Sequence, residues 1–131
     1  MELDASPLGV NFNGSGLFTA LSKKRYWRVV QAGRFALSRR ALPGWAWEIL
    51  IGHMTFCGLV CRDVLSAFHS IYAFMRKHYN QRVPLWASAR EEVEHFLGAM
   101  LFLRSDWWLP WSTHVTATDA SLFGYGICTA E

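Results

Sequence analysis

The carboxylate whose surroundings suggest chemistry is Asp119, inside the run VTATDASLFGYGICT from Val115 to Thr129. Val115, Thr116 and Thr118 are β-branched and no charge precedes Asp119 in the run, which predicts an extended strand closed by Asp119. A small-residue turn over 120–124 and a second strand over 125–129 complete a β-hairpin. Gly124 and Gly126 leave one face bare, so a ligand or another backbone can come close. A carboxylate fixed at the end of such a strand suits Mg²⁺ or Mn²⁺, which take hard oxygen ligands. The same residue can instead cap the turn through the backbone of Ser121, the commoner role for an Asp there.

The second group is cationic: Lys23, Lys24, Arg25 and Arg28, followed by Arg34, Arg39 and Arg40. Cations clustered on one helix suit nucleic-acid phosphates, and such binding weakens steeply with salt. Tyr26 and Trp27 interleave with them and offer a base or sugar something to stack on. The alternative is a solvated helix face, the usual fate of a charge run. His53, Cys57 and Cys61 are spaced by four and would share a helix face. With no fourth ligand near and Gly58 interrupting, core packing is favoured over zinc. Trp107, Trp108 and Trp111 form an aromatic group that suits hinge packing better than base stacking. The chain contains no Gly-rich phosphate loop and no Cys-x-x-Cys pair.

These residues need elements to position them. At 131 residues with 52% hydrophobic and 15% aromatic content, the chain holds about one domain and is not disordered. A net charge of +3 favours an anionic partner. Three cysteines in no framework spacing indicate a reducing, intracellular compartment, and MELDASPLGV lacks the apolar core of a signal peptide. Residues 1–21 read as irregular, with a short strand near Gly9–Phe12. Ser22 is an N-cap signal for a helix over 23–37. A second helix runs from Pro43 to Cys57. Its apolar stretch, Trp45 to Val60, approaches membrane-spanning length, but Glu48 and His53 interrupt it, so a core helix is expected and no membrane partner. A third helix covers 62–78 on the stripe Val64, Leu65, Phe68, Ile71, Tyr72 and Met75. Ser88 and Glu91 have capping-box spacing for a fourth helix, ending near Arg104. The fold class is therefore α+β and mostly helical: about four helices, then a C-terminal β-hairpin. Two strands do not make a stable sheet alone, so the hairpin reads as the start of an incomplete one.

The string TDASLFGYG resembles the opening hairpin of a ribonuclease H domain, and more narrowly the TDAS-x-x-G-[WY]-G form of DIRS-like retroelement polyproteins. The phrases LGVNFN, LIGHMTFCGLVCRDVLSAFHSIYAFMRK and FLRSDWW are similar to the same family, so the resemblance runs from Leu8 onward. It implies a helical thumb and connection region over 22–104, a Trp-rich connector over 105–113, and a first ribonuclease H hairpin over 114–131. It also implies an RNA–DNA hybrid or DNA duplex as partner. Asp119 would be the first metal-binding carboxylate, holding Mg²⁺ or Mn²⁺ in the intact parent. By the family layout the palm lies before Met1 and the other carboxylates after Glu131. Two-metal hydrolysis needs ions about 4 Å apart, which one Asp cannot hold. The chain alone is thus expected to bind no metal stably and to cleave nothing. The rival readings are a non-catalytic helical interaction protein and, further off, a small membrane-associated helical protein.

Overall fold

The computed structural model describes residues 4–5, 7–108, 110, 113–121 and 124–130, and for residues 4, 5, 7, 115–121, 124–127 and 130 the backbone alone. The fold is α+β and mostly helical. Helix α1 (Lys23–Ser38) begins where expected: Ser22 is extended and its Oγ accepts the Arg25 backbone N–H at 3.3 Å. Helix α2 (Gly44–Gly58) starts directly after Pro43, whose fixed φ suits that position. Helices α3 (Ser70–Lys77) and α4 (Ala87–Ala99) complete the bundle. Its centre is Ile51 and Met54 of α2, Ile71 and Phe74 of α3, and Val93 and Phe96 of α4, all buried. Phe68 stacks on Phe96 with ring centroids 4.7 Å apart, joining the stretch before α3 to the same core. Among the described residues no helix is long and apolar enough to cross a membrane.

Two helix starts differ from the sequence expectation. The span 62–78 is not one helix but a 3-10 turn over Arg62–Ala67 followed by α3. The cause lies on α4. Glu92 accepts the backbone N–H groups of His69, Ser70 and Ile71 at 3.1, 2.7 and 2.9 Å, fixing a helix N-terminus there. Ser88 does not cap α4, because the extended residue before the helix is Trp86, whose carbonyl accepts the Arg90 N–H at 2.9 Å. Arg90 in turn donates to the Leu37 carbonyl at 2.8 Å, so α4 offers a cation to the end of α1 and an anion to the start of α3.

Partial burial pushes the Glu92 carboxyl up, but the backbone N–H donors outweigh it and hold it below its ordinary value. A lowered folded pKa contributes stability above the unfolded value, near 4.5, and that stability is lost as pH falls through the folded value. Glu92→Gln is therefore expected to cost about 1–2 kcal/mol at neutral pH, the size of a lost N-cap. Denaturant melts from pH 7 to pH 3 should show the gap to the parent chain closing on the acid side. A gap constant with pH would mean that the charge plays no part.

The segment 1–21, expected to be irregular apart from a short strand near Gly9–Phe12, carries three strands. These are β1 (Asp4–Ala5), β2 (Val10–Asn13), which falls at the expected place, and β3 (Phe18–Leu21). A fourth strand, β4 (Arg104–Asp106), comes from the start of the expected connector and pairs with β3, giving an antiparallel sheet in the order β1-β2-β3-β4. Apart from β2, runs so short and so far apart in sequence carry no local strand signal. Arg104 lies over the Phe18 ring at 4.1 Å and bonds Asp106, which pins the β3–β4 edge. The chain thus has a sheet besides the C-terminal hairpin, β5 (Val115–Ser121) and β6 (Gly124–Ala130), which forms a separate two-stranded pair.

Candidate nucleic-acid interface

The hairpin register puts Asp119 opposite Gly126 and continues to Ser121 opposite Gly124. Asp119 therefore sits within the ladder and does not close the strand. The ladder runs on through Ala120 opposite Tyr125 and Ser121 opposite Gly124. The Asp119 side chain lies outside the described residues, as do Trp111 and Glu131. Among the described residues no group of three or more His, Cys, Asp or Glu side chains could hold a metal ion. The described residues thus do not make up a two-metal set.

The His53–Cys57–Cys61 series does not converge either. Cys57 is fully buried, Cys61 is half-buried, and His53 is exposed, against its expected place in the core. Gly58 and the turn after it carry the chain off the helix before a third position can line up. Burial pushes the Cys57 thiol up, and the nearby Arg25 guanidinium offsets only part of that. In the native protein an alkylating reagent is therefore expected to reach Cys128, which is exposed, and to spare Cys57 until denaturant is added. Equal labelling rates at the two thiols would contradict the packed core around Cys57.

The basic cluster, by contrast, is brought together. Helix α1 buries Val29, Val30, Gly33 and Ala36, leaving the opposite arc in water. On that arc Lys24, Arg28 and Phe35 follow one another at spacings of four and seven, beside a second row of Lys23, Trp27 and Arg34. All six are exposed. The helix contains no Asp or Glu, and among the described residues the ion pairs are Arg90–Glu94 and Arg104–Asp106. Among the described residues no carboxylate forms an ion pair with an α1 cation. Lys23 to Arg34 spans about 16 Å along the axis, roughly five phosphate steps of a duplex strand.

The seven cations named from sequence are not equivalent. Arg25 is half-buried, with Nε donating to the Leu8 carbonyl at 3.3 Å and its guanidinium over the Phe56 ring at 4.2 Å. It ties the N-terminal segment to α1 and α2. Arg39 follows the last turn of α1 and covers the Phe35 ring at 4.0 Å, and Arg40 is exposed beyond it. Within α1 itself, Lys23, Lys24, Arg28 and Arg34 are the exposed cations, with no ion-pair partner among the described residues. Tyr26 and Trp27 also separate: Tyr26 packs against the core, and Trp27 stands out at 54% exposure with its ring edge-on to Tyr26 at 5.1 Å.

At the other end of the described chain, Trp107 donates its backbone N–H to the Leu17 carbonyl at 2.7 Å and its ring tilts against Phe12 at 6.1 Å. It serves sheet packing. Sequence reasoning missed one further feature, a cleft of 590 Å³ between α2 and α3 with Glu48, Tyr72, Arg76 and Tyr79 in its walls. In it the Tyr79 hydroxyl donates to Glu48 at 2.9 Å, which raises the phenol pKa. The pairing links residues distant in sequence and left no local signal. Compared with known proteins, the chain matches no protein-family model, no curated protein and no solved structure.

Proposed function

We propose that the chain is a helical nucleic-acid-gripping module. Its particular reading is the thumb and connection region of a DIRS-like retroelement reverse transcriptase, running into the first hairpin of the ribonuclease H domain. One observation carries it: the outward arc of α1 presents Lys23, Lys24, Arg28 and Arg34 with no carboxylate among them. Such an arc attracts a phosphate backbone and gives it register, without base specificity. The hairpin supports the same reading, since 118–121 pair with 124–127 as the resemblance implies, with Asp119 opposite Gly126 across the ladder. In an intact polyprotein the task would be to hold a template–primer duplex and to deliver Asp119 toward Mg²⁺ or Mn²⁺. The test is a titration of an RNA–DNA hybrid at rising salt, followed by fluorescence anisotropy. About four phosphate contacts give a log–log slope near −3.6; a flat salt response would remove the electrostatic grip.

A second reading, a helical interaction protein without catalysis, draws on the exposed apolar side chains Trp45 and Ile49 of α2 and Leu59 just after it. Salt-insensitive hybrid binding, or none, would favour it.

A further inference from the structure

We propose that Trp27 is a stacking platform and that the α1 arc takes an unpaired nucleic-acid strand in preference to a closed duplex. The inference rests on the nucleic-acid reading above and deepens it. An indole at 54% exposure on a folded helix is unusual, because a large aromatic ring loses more than most side chains by staying in water. Here it is held in place: Tyr26, packed against the core, meets it edge-on at 5.1 Å with planes 80° apart. The ring is thus braced on one side and open on another.

Its surroundings are those of a backbone-tracking groove. Lys24 lies three residues before it and Arg28 one after, and both line a basin of 260 Å³ that also includes Arg25 and Ser22. Lys23 and Arg34 flank Trp27 in the neighbouring row. Cations alone would suit any polyanion. An exposed ring among them discriminates, since bases inside a duplex are stacked on each other and show a protein only their edges. An unpaired strand shows base faces, and aromatic side chains within a cationic track are the usual means of binding it. Phosphates would then run along Lys24 and Arg28 while one base lies on Trp27.

Three probes test this by fluorescence anisotropy at fixed salt: an oligothymidylate, a blunt RNA–DNA hybrid, and that hybrid with a single-stranded overhang. Trp27→Ala is expected to weaken the oligothymidylate and the overhang about tenfold, within the range of one base–aromatic stack, and to leave the blunt hybrid unchanged. Trp27→Phe keeps a π face and should retain most of the affinity. Trp27→Leu keeps the apolar contact with Tyr26 but not the π face, and should behave as Trp27→Ala. Equal losses on all three probes, no loss on any, or full affinity in Trp27→Leu would overturn the proposal. If reversing the α1 cations leaves every probe unaffected, the underlying nucleic-acid reading falls as well.

Discussion

With Lys23, Lys24, Arg28 and Arg34 all changed to glutamate, affinity for an RNA–DNA hybrid is expected to fall at least about a hundredfold at 50 mM salt. The size follows from counterion release. Four neutralised phosphates contribute a slope near −3.6, so raising salt from 50 to 200 mM should by itself weaken the parent chain about a hundredfold. Reversing the charges removes those contacts and adds repulsion, and the slope should approach zero. Arg25 is left out deliberately, because its guanidinium stacks on Phe56 and its Nε holds the Leu8 carbonyl. Net charge moves from +3 to −5, since each of the four changes subtracts two. The control therefore reverses four exposed cations elsewhere: Arg62, Arg76, Lys77 and Arg82. That variant has the same net charge and should keep most of the affinity and of the slope. Equal losses in both variants would mean that overall charge, and no particular surface, attracts the hybrid.

The second large effect concerns stability and has opposite signs at two glycines of one helix. Gly44 opens α2 against the end of α3, where its N–H donates to the His78 carbonyl at 2.9 Å and Trp45 donates to Tyr79 at 3.1 Å. A Cβ built there would lie 2.7 Å from the Met75 carbonyl oxygen and 2.8 Å from the Tyr79 Cα. Those are backbone atoms, so relief requires moving a helix end. Gly44→Ala is expected to cost about 2–3 kcal/mol, typical of overpacking. Gly52, two turns on, has nothing within 4 Å of such a Cβ. There alanine restricts the unfolded chain and improves helix propensity, for a gain of about 0.5–1 kcal/mol. Paired thermal and urea melts decide it, and the same sign for both substitutions would refute the packed α2–α3 junction.

What the sequence made legible was local. Ser22 and Pro43 announce helix starts through their own chemistry, and α1 and α2 begin there. The C-terminal hairpin could be read from β-branched residues, small residues and glycines within a single short run. The α1 arc was legible as a cluster. Which of its cations is free was not, because the partners of Arg25 come from Leu8 and Phe56. The same holds for α3: Ser70 begins a helix because Glu92, on another helix, bonds three N–H groups. Of the short strands in the first sheet only β2 was anticipated; β1 and β3 have no periodicity to read, and β4 acquires its identity only by meeting β3.

That last pairing has a geometric corollary. Phe18 faces Asp106 and Ala20 faces Arg104, so the backbone goes out to the bundle and comes back one strand spacing away, about 5 Å. Everything between is a side arm on a two-stranded stem. That arm is tied back to the stretch ahead of Phe18, where Ser22 donates to the Gly9 carbonyl and Arg25 to the Leu8 carbonyl. Tension applied across the stretches ahead of Phe18 and beyond Asp106 would therefore load the start of α1, through the Ser22–Gly9 and Arg25–Leu8 bonds, as well as the stem.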